Sequence, residues 1–353
     1  MMRFTPVLAV AVAAIFAQPA FATTTNPTNT ADQASTGATS TAIVQTTSTA
    51  TTGTLGTRVG SFVAVEAMNR QGGNTEMVAA LHDEMAFGTG MSAGGGDGRL
   101  GVWVSGGWTG VEDDLVSTAY DGDVFSMLFG GDYQFNDRFL GGVAIGYESA
   151  DIDTTFNTGN VSSNGWTIAP YAGYVLNRYF TMDVSAGYSF VDYDLMRTNA
   201  AGTTVTGGFE SNRWFVAGAV NGYYSVNKIL LTGRLGYSYT RESQDGFTES
   251  DTTINSSRDV TVGSIRVGGT MGYDLGKVQP YLTTTYVYDA QLTKVAVGAG
   301  QAQPANDRSG IDFGGGLRFA LSDRVTGGIE GTTHLARDNF DSTSVSGNLR
   351  IKF

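Results

Sequence analysis

Apolar and polar side chains alternate through most of this chain, and that alternation constrains the fold more than any other feature. The last ten residues show it clearly, because their apolar members share one parity: Val345, Leu349, Ile351 and Phe353. The same period of two recurs in segment after segment from Arg99 onward. A period of two predicts β-strands with one apolar and one polar face. A final strand that ends on phenylalanine is typical of a sheet whose apolar face meets lipid.

The connections between these segments alternate in length. Five are short and place a turn-forming residue next to a basic one: 135–138, 176–179, 226–229, 275–278 and 321–324. Six are longer and polar: 109–121, 149–164, 193–208, 241–258, 293–308 and 335–341. Together they require twelve strands with both ends of the sheet on the short-turn side. Bacterial outer-membrane barrels have an even strand number, short periplasmic turns and long outer loops.

We therefore predict an all-β membrane protein in which residues 99–353 form a single 12-stranded antiparallel transmembrane β-barrel. Closure pairs every backbone polar group of a sheet, which is necessary in hydrocarbon. Tyrosines and phenylalanines cluster near the predicted strand ends, where membrane proteins place interfacial aromatic residues. A soluble all-β sandwich or propeller is the rival architecture. It would not need one apolar parity sustained in strand after strand.

Residues 1–22 have the features of a cleavable signal peptide. Arg3 supplies a positive charge, residues 7–16 form a short apolar core, and Ala20-Phe21-Ala22 has the form of a cleavage site. We expect export to the outer membrane of a Gram-negative cell. The chain contains no cysteine, which fits passage through an oxidising periplasm and excludes disulfides and thiolate sites.

Two further segments precede the first predicted strand. Residues 23–54 are rich in threonine with Asp32 as their single charge, so composition predicts a disordered segment, either a vestigial passenger or a tail. A surface-exposed, adhesive tail is the alternative interpretation. Residues 55–98 show helical spacing and then a glycine-rich joint, which predicts a pre-barrel helix in the barrel lumen. The residues assigned to this plug helix are Val59, Phe62, Val63, Glu66 and Arg70.

Charges of both signs fall on the polar parity of the predicted strands. They are Asp132, Glu148, Asp183, Arg234, Arg266, Asp312, Arg318, Glu330 and Arg350. In one hypothesis these side chains pair with each other and with Glu66, Arg70, Asp83 and Glu84, and so hold the helix in place. In the other they line a wet pore and bias the passage of ions.

The sequence offers little that could support catalysis. It has two histidines, His82 and His334, and neither a G-x-S-x-G nor an H-E-x-x-H motif. We expect no catalytic residues, no cofactor and no metal site. A hydrolase at the outer rim is a weak alternative, because it would need an acidic, histidine or serine cluster there and His334 is the only histidine nearby. The net charge of −12 argues against a nucleic-acid partner.

Two stretches of the chain resemble a known family. The hairpin 334–340 leading into Gly347–Phe353, and the predicted first strand Val102–Trp108, are similar to the closing and opening strands of the autotransporter β-domain of type V secretion. The resemblance implies that the helix threads the barrel and that a passenger is delivered to the outside during assembly. Because only residues 23–54 are available ahead of the helix, we expect a very short passenger.

The resemblance also implies a route and partners. We expect the Sec translocon, periplasmic chaperones and the barrel-assembly machinery to handle the chain, with Val345, Leu349, Ile351 and Phe353 as the assembly signal. The barrel would lie as a monomer in the lipid bilayer, in contact with lipopolysaccharide. The expected function is an autotransporter-type translocator with a surface-display or structural role. A solitary porin-like barrel that allows passive diffusion is the alternative.

Overall fold

The computed structural model describes residues 34–69, 100–293, 308–322, 325–338 and 340–351. One helix, α1 (Ala34–Asn69), precedes the strands. The strands are β1 (Leu100–Asp113), β2 (Tyr120–Asn136), β3 (Phe139–Thr154), β4 (Gly159–Val175), β5 (Phe180–Thr198), β6 (Thr204–Val226), β7 (Ile229–Gln244), β8 (Phe247–Thr248), β9 (Ile254–Asn255), β10 (Arg258–Tyr273), β11 (Val278–Leu292), β12 (Ser309–Ser322), β13 (Val325–Leu335) and β14 (Phe340–Ile351).

Twelve of these strands form a closed barrel in the order β1-β14-β13-β12-β11-β10-β7-β6-β5-β4-β3-β2. Neighbours are antiparallel throughout, and the first and last strands close the sheet with Trp108 opposite Val345 and Trp103 opposite Arg350. The remaining strands, β8 and β9, form a small separate sheet. The predicted 12-stranded antiparallel barrel is confirmed.

The predicted short turns lie at one end of the barrel, which we call the periplasmic end because outer-membrane barrels keep their short turns there. Asn136 and Asn177 use their side-chain oxygens to accept two backbone amides each, at 2.8 to 3.0 Å. Asn227 adopts a positive φ of 53° and Gly276 one of 89°. Asparagine and glycine tolerate these conformations, so the turn residues account for the tight reversals.

At the opposite, outer end, the predicted long loops are wrong in extent. Most of the predicted loops 109–121, 149–164 and 193–208 is strand, and the connection between β3 and β4, for example, is 155–158. The alternation continues there with its polarity inverted: Asp151 points outward, while Ile152 and Val161 are buried inside the barrel. Outward polar residues in a solvated wall have the composition of a loop, which is why the sequence suggested loops.

The outward face carries the expected apolar band. On β3 this band runs from Phe139 to Tyr147, and beyond it the outward residues become acidic. A strand needs about 9–11 residues to cross a bilayer, and 139–147 has this length. Aromatic pairs such as Tyr147–Trp166 and Trp108–Phe125, with centroids 5.1 and 6.2 Å apart, mark the outer edge of the band.

Helix α1 lies in the lumen, where it packs against β1 to β7 and β10. The prediction that residues 23–54 are disordered is wrong for 34–54, and the predicted helix start at residue 55 is wrong too, because the helix already includes Ala34. The composition argument assumed water around the segment. Inside the barrel the wall surrounds it, small side chains fit the space, and hydroxyls bond within the helix, as from Thr47 to the carbonyl of Ile43 at 2.8 Å.

Apolar clusters at both ends of the barrel fix the depth of α1. Near the outer end, Ile43 packs among inward-facing residues of β1 to β6, including Tyr193. Near the periplasmic end, Leu55 and Val59 pack with Trp103 and other wall residues. Among the described residues, no helix is both long enough and apolar enough to cross a membrane. The predicted signal peptide (1–22), Arg70, Asp83, Glu84, the joint at 94–98 and Phe353 lie outside the described residues.

Candidate functional site: polar contacts between the lumen helix and the barrel wall

The central contact between helix and wall is made by Arg213 on β6. Its guanidinium donates to Glu148 and to Glu242, each at 2.7 Å, and to the hydroxyl of Thr47 on α1 at 2.6 Å. Arg213 is 1% exposed, and both glutamates are buried. One buried cation therefore satisfies two buried carboxylates of the wall and one hydroxyl of the helix, which is the arrangement that makes buried charges tolerable.

A second contact joins α1 to β11. The side-chain amide of Gln45 donates to Asp289 at 3.0 Å. Asp289 also accepts hydrogen bonds from Arg337 and from the hydroxyl of Ser264, both at 2.6 Å. Asp289 is 0% exposed. Its charge is balanced by a wall arginine, so the helix amide adds a bond without having to neutralise the carboxylate.

Further wall arginines approach the outer half of the helix. Arg258 donates to the hydroxyl of Ser40 at 2.8 Å, and Arg266 donates to that of Thr49 at 3.0 Å. Arg266 also pairs with Asp312 at 3.3 Å. The other oxygen of Asp312 lies 2.6 Å from Nδ1 of His334. In this half, the wall supplies the charges and the helix supplies hydroxyl and amide groups.

The periplasmic half contains an ion pair between helix and wall. Arg58 donates twice to one carboxylate oxygen of Asp132 on β2, at 2.7 and 2.9 Å. The hydroxyl of Tyr171 donates to the same oxygen at 3.2 Å and accepts from the indole of Trp103 at 2.8 Å. The side chain of Asp132 is fully buried. Arg58 therefore supplies the charge that this aspartate needs.

Beside that pair, the helix backbone comes close to another wall ion pair. Arg234 binds Asp183 with two hydrogen bonds of 2.9 Å, and Asn221 bonds to both, at 2.8 Å each. A Cβ atom at Gly56 would lie 2.2 Å from Nη2 of Arg234. Any larger residue at this turn of α1 requires the guanidinium of Arg234 to shift, because the guanidinium occupies the space of a side chain.

Of the predicted lumen charges, Asp132, Glu148, Asp183, Arg234, Arg266 and Asp312 make the contacts above. Arg318 and Glu330 each contact a residue of β11 instead: Arg318 donates to Gln279 at 3.0 Å, and Tyr281 donates to Glu330 at 2.6 Å. The backbone of Arg350 pairs with Trp103, and its side chain is outside the described part. The predictions do not include several charged residues that the structure adds: Arg58, Arg213, Glu242, Arg258, Asp289 and Arg337.

The residues predicted for the plug and for the assembly signal are placed as follows. Val59 packs against the wall and is 1% exposed. Phe62, Val63 and Glu66 belong to α1, but their side chains fall outside the described part. Val345 and Leu349 face outward on β14 and are exposed, and Ile351 is the last residue of that strand. The predicted lumen pairing through Glu66 and Arg70 stays a prediction.

Substituting Gly56 with alanine tests how closely the helix approaches the wall. The new methyl group would displace Arg234 from Asp183, and overpacking of this kind costs about 1–3 kcal/mol. We expect Gly56→Ala to lower the temperature at which the folded barrel loses its compact electrophoretic mobility. Gly53→Ala is the matched control, because no atom lies within 4 Å of its added Cβ. That variant should be unchanged or more stable, since alanine favours the helix. Equal behaviour of the two variants would contradict the close approach.

A closed barrel with twelve antiparallel strands and a helix in its lumen defines the translocator class of outer-membrane proteins. The chain belongs to the autotransporter β-domain family, whose sequence profile matches residues 102–332. The predicted family membership and the location in the Gram-negative outer membrane are confirmed. Among the described residues, no group of three or more histidines, cysteines or acidic residues is arranged to hold a metal ion.

Two relatives in sequence match parts of the chain. A 238-residue stretch is 25% identical to a protein of Escherichia coli K12 called YaiT, and covers 63% of this chain and 24% of YaiT. A 158-residue stretch is 27% identical to the 25 kDa outer-membrane immunogenic protein of Brucella ovis, and covers 44% of this chain and 71% of that protein. The chain thus spans about a quarter of the length of YaiT.

Solved structures share the fold. The translocator domain of the autotransporter NalP from Neisseria meningitidis has a TM-score of 0.64 at 13% identity, over 79% of this chain and 98% of that one. The β-domain of the Bordetella autotransporter BrkA has a TM-score of 0.61 at 17% identity, over 72% of this chain and all of that one.

Proposed function

We propose that this barrel is a translocator that holds α1 as a plug and presents the chain N-terminal to it on the outer side of the membrane. The observation that carries the proposal is the direction of the helix. Ser40 contacts Arg258 where β10 begins at the outer end, whereas Arg58 contacts Asp132 close to the periplasmic turn at 137–138. The helix N terminus therefore points outward.

The position of α1 limits the number of residues N-terminal to it that could be displayed. Residues 34–54, which composition suggested as part of a tail, lie within the helix. The residues between the proposed signal-peptide cleavage site and α1 are 23–33. We propose that this short segment and the outer hairpins form the displayed surface, in a structural or surface-display role.

The proposed role involves no catalysis. The described histidine, His334, is largely buried, and its Nδ1 is bonded to Asp312 within the barrel. A rim hydrolase would need an accessible nucleophile and base. This arrangement favours a packing role for His334 over the hydrolase alternative.

The proposed partners follow from the route of such a barrel. We propose that the Sec translocon, periplasmic chaperones and the barrel-assembly machinery act on the chain in turn, and that the assembly machinery recognises Val345, Leu349, Ile351 and Phe353. The outward, exposed positions of Val345 and Leu349 at the closing seam support this recognition. We further propose that the folded barrel is a monomer in contact with lipopolysaccharide.

An epitope tag tests the direction of display. A tag inserted after Thr28 in the full chain should bind antibody on intact cells. A tag at Gly202, in the outer turn between β5 and β6, is the positive control, and one at Asp137, in a periplasmic turn, is the negative control. If the tag after Thr28 behaves like that at Asp137, the proposed direction is wrong.

Planar-bilayer conductance separates the plugged translocator from the porin-like alternative. The full chain should give a small, steady conductance, because α1 and its wall contacts occupy the lumen. Removing residues 34–69 should produce much larger openings. Large steady openings from the full chain would instead support the porin.

A further inference from the structure

Each of the five short turns at the periplasmic end carries a basic residue. Four of these residues lie in the described part of the chain, and all four are exposed: Arg138, Arg178, Lys228 and Lys277. The fifth, Arg324, falls outside it. Neither the helix-to-wall contacts nor the proposed display uses these cations, so their recurrence needs a separate explanation.

The cations stand at the edge of the apolar band. In three of the turns, the basic residue is followed at once by the first exposed, outward-facing apolar residue of the next strand: Phe139, Ile229 and Val278. In the fourth, the guanidinium carbon of Arg178 lies 4.8 Å from the centroid of the Tyr179 ring. Aromatic rings at this position mark the headgroup depth of a bilayer. The four cations therefore lie at the depth of the lipid phosphates.

Backbone hydrogen bonds fix the turns to the neighbouring strands. The amide of Val175 donates to the carbonyl of Arg138 at 2.9 Å, and the amide of Asp274 donates to the carbonyl of Lys228 at 2.8 Å. Each turn joins two strands that are spaced about 4.8 Å apart, so successive turns lie about 10 Å from each other. The rim thus presents its cations from fixed backbone positions, and such preorganisation favours binding.

The positive charge is concentrated in two neighbouring turns. Asp137 and Asp274 accompany the basic residues of two turns, whereas the turns 176–179 and 226–229 contain no acidic residue. Arg178 and Lys228 belong to these latter turns, which flank the β5–β6 pair. The lipid-facing surface between them is aromatic, because Phe180 on β5 and Tyr224 on β6 face outward and are 48% and 57% exposed.

The outward charges of β2 and β3 at the opposite end are acidic. Four exposed aspartates face outward there in two directly opposed pairs, Asp121 with Asp153 and Asp123 with Asp151. Asp123 accepts a hydrogen bond from the indole of Trp108 at 2.7 Å, so the carboxylates begin where the aromatic edge ends. Solubility does not explain opposite signs at the two edges, since charges of either sign are well solvated.

We propose that the periplasmic rim is a docking surface for anionic phospholipids of the periplasmic leaflet, with Arg178 and Lys228 as its main phosphate contacts. Guanidinium and ammonium groups make strong, charge-assisted hydrogen bonds to phosphate, and basic residues beside a membrane attract anionic lipids. Phe180 and Tyr224 lie beneath the headgroup, against its acyl chains. This contact holds the rim at one depth in the bilayer and goes beyond the proposed function.

Site-specific quenching tests the rim, because the chain has no cysteine of its own. Val226→Cys places a fluorophore on an exposed, outward residue beside Lys228, and the folded full chain is reconstituted in phosphatidylcholine bilayers. Quenching by nitroxide-labelled phosphatidylglycerol is compared with quenching by phosphatidylcholine that carries the same label. We expect phosphatidylglycerol to quench about two- to fivefold more strongly at low salt. This ratio should fall toward one at about 1 M salt, where the Debye length is about 3 Å.

Matched variants assign the preference to the two cations. Arg178→Gln combined with Lys228→Gln should bring the ratio close to one, whereas Arg178→Lys combined with Lys228→Arg should keep it. All these side chains are exposed, so each variant should retain its compact electrophoretic mobility. Phe190→Cys is the control position, because it faces lipid near the outer edge, two residues from the outward Asp192. Its ratio should not exceed one.

Three results would overturn the proposal. They are equal quenching by the two lipids at position 226, a ratio that the glutamine variants leave unchanged, and an equal preference for phosphatidylglycerol at position 190. Because the same lipids are present in both leaflets of the test bilayer, the ratio does not depend on the direction of display or on the plug. Epitope tags that fail beside a clear lipid preference would contradict the display alone, and a missing preference beside correct tags would contradict the rim alone.

Discussion

Replacing Arg213 with leucine is expected to leave little of the barrel in its folded, heat-resistant form. The guanidinium is the cation that both Glu148 and Glu242 bind at 2.7 Å, and all three side chains are buried. Breaking one buried ion pair costs about 3–5 kcal/mol, and here two carboxylates lose their partner together. The measurement is the fraction of outer-membrane protein that migrates as the compact form on an unheated gel, and the temperature at which that form disappears.

Two variants show whether charge or packing is responsible. Arg241→Leu removes an arginine from an exposed pair with Asp259, and it should change stability by about 0–1 kcal/mol. Combining Arg213→Leu with Glu148→Gln and Glu242→Gln removes every charge of the cluster and should restore most of the compact form. If Arg213→Leu behaves like Arg241→Leu, the cluster does not stabilise the barrel.

The distribution of charge is consistent with a helix that occupies the lumen and still permits the polypeptide passage that we propose. In the outer half, two arginines that contact the helix already have carboxylate partners in the wall: Arg213 has Glu242 and Arg266 has Asp312. The helix adds only hydroxyl and amide groups, such as Thr47 and Thr49. Each such hydrogen bond contributes about 0.5–1.5 kcal/mol. These contacts can be lost without leaving any of these wall charges unpaired.

Sequence periodicity was sufficient to predict the barrel because the two faces of each strand lie in different solvents. The outward parity of residues such as Val143 and Ile145 follows directly from that difference. The strand extensions at the outer end escaped prediction because both solvents change beyond the membrane: outward Asp151 meets water, and inward Ile152 meets the apolar interior. Apolar and polar residues still alternate there, but the polar residues face outward and the apolar residues face inward.

The contacts of the helix could not be predicted in the same way. Thr47 meets Arg213, and Arg58 meets Asp132, across separations of 166 and 74 residues. Which side chains meet depends on the depth and rotation of α1 in the lumen, and local spacing contains neither. The Thr-rich composition was misleading for a related reason, because helix propensity in water does not describe a segment enclosed by a barrel wall.

Arg58→Ala is expected to release the periplasmic half of the helix. It removes the cation that lies 2.7 Å from Asp132, whose buried carboxylate would keep only the hydroxyl of Tyr171 among the bonds described above. The penalty for such an uncompensated charge is about 3–5 kcal/mol, and lifting α1 to admit water is the simplest way to relieve it. We expect larger conductance in planar bilayers and faster cleavage of α1 by a protease added at the periplasmic face.

The double variant Arg58→Met with Asp132→Asn distinguishes loss of charge balance from loss of helix packing. It removes both charges and keeps side chains of similar volume, so it should restore small conductance and slow cleavage, as neutral replacement of buried pairs often does. Asp132→Asn alone strands the cation instead and should behave like Arg58→Ala. If Arg58→Ala conducts and is cleaved like the unmodified chain, the outer-half hydroxyl contacts and the apolar clusters hold the helix without this ion pair. Among the contacts described above, the Arg58–Asp132 pair is the helix-to-wall contact whose loss leaves a buried wall charge unbalanced, and this comparison shows whether it holds the helix in the lumen.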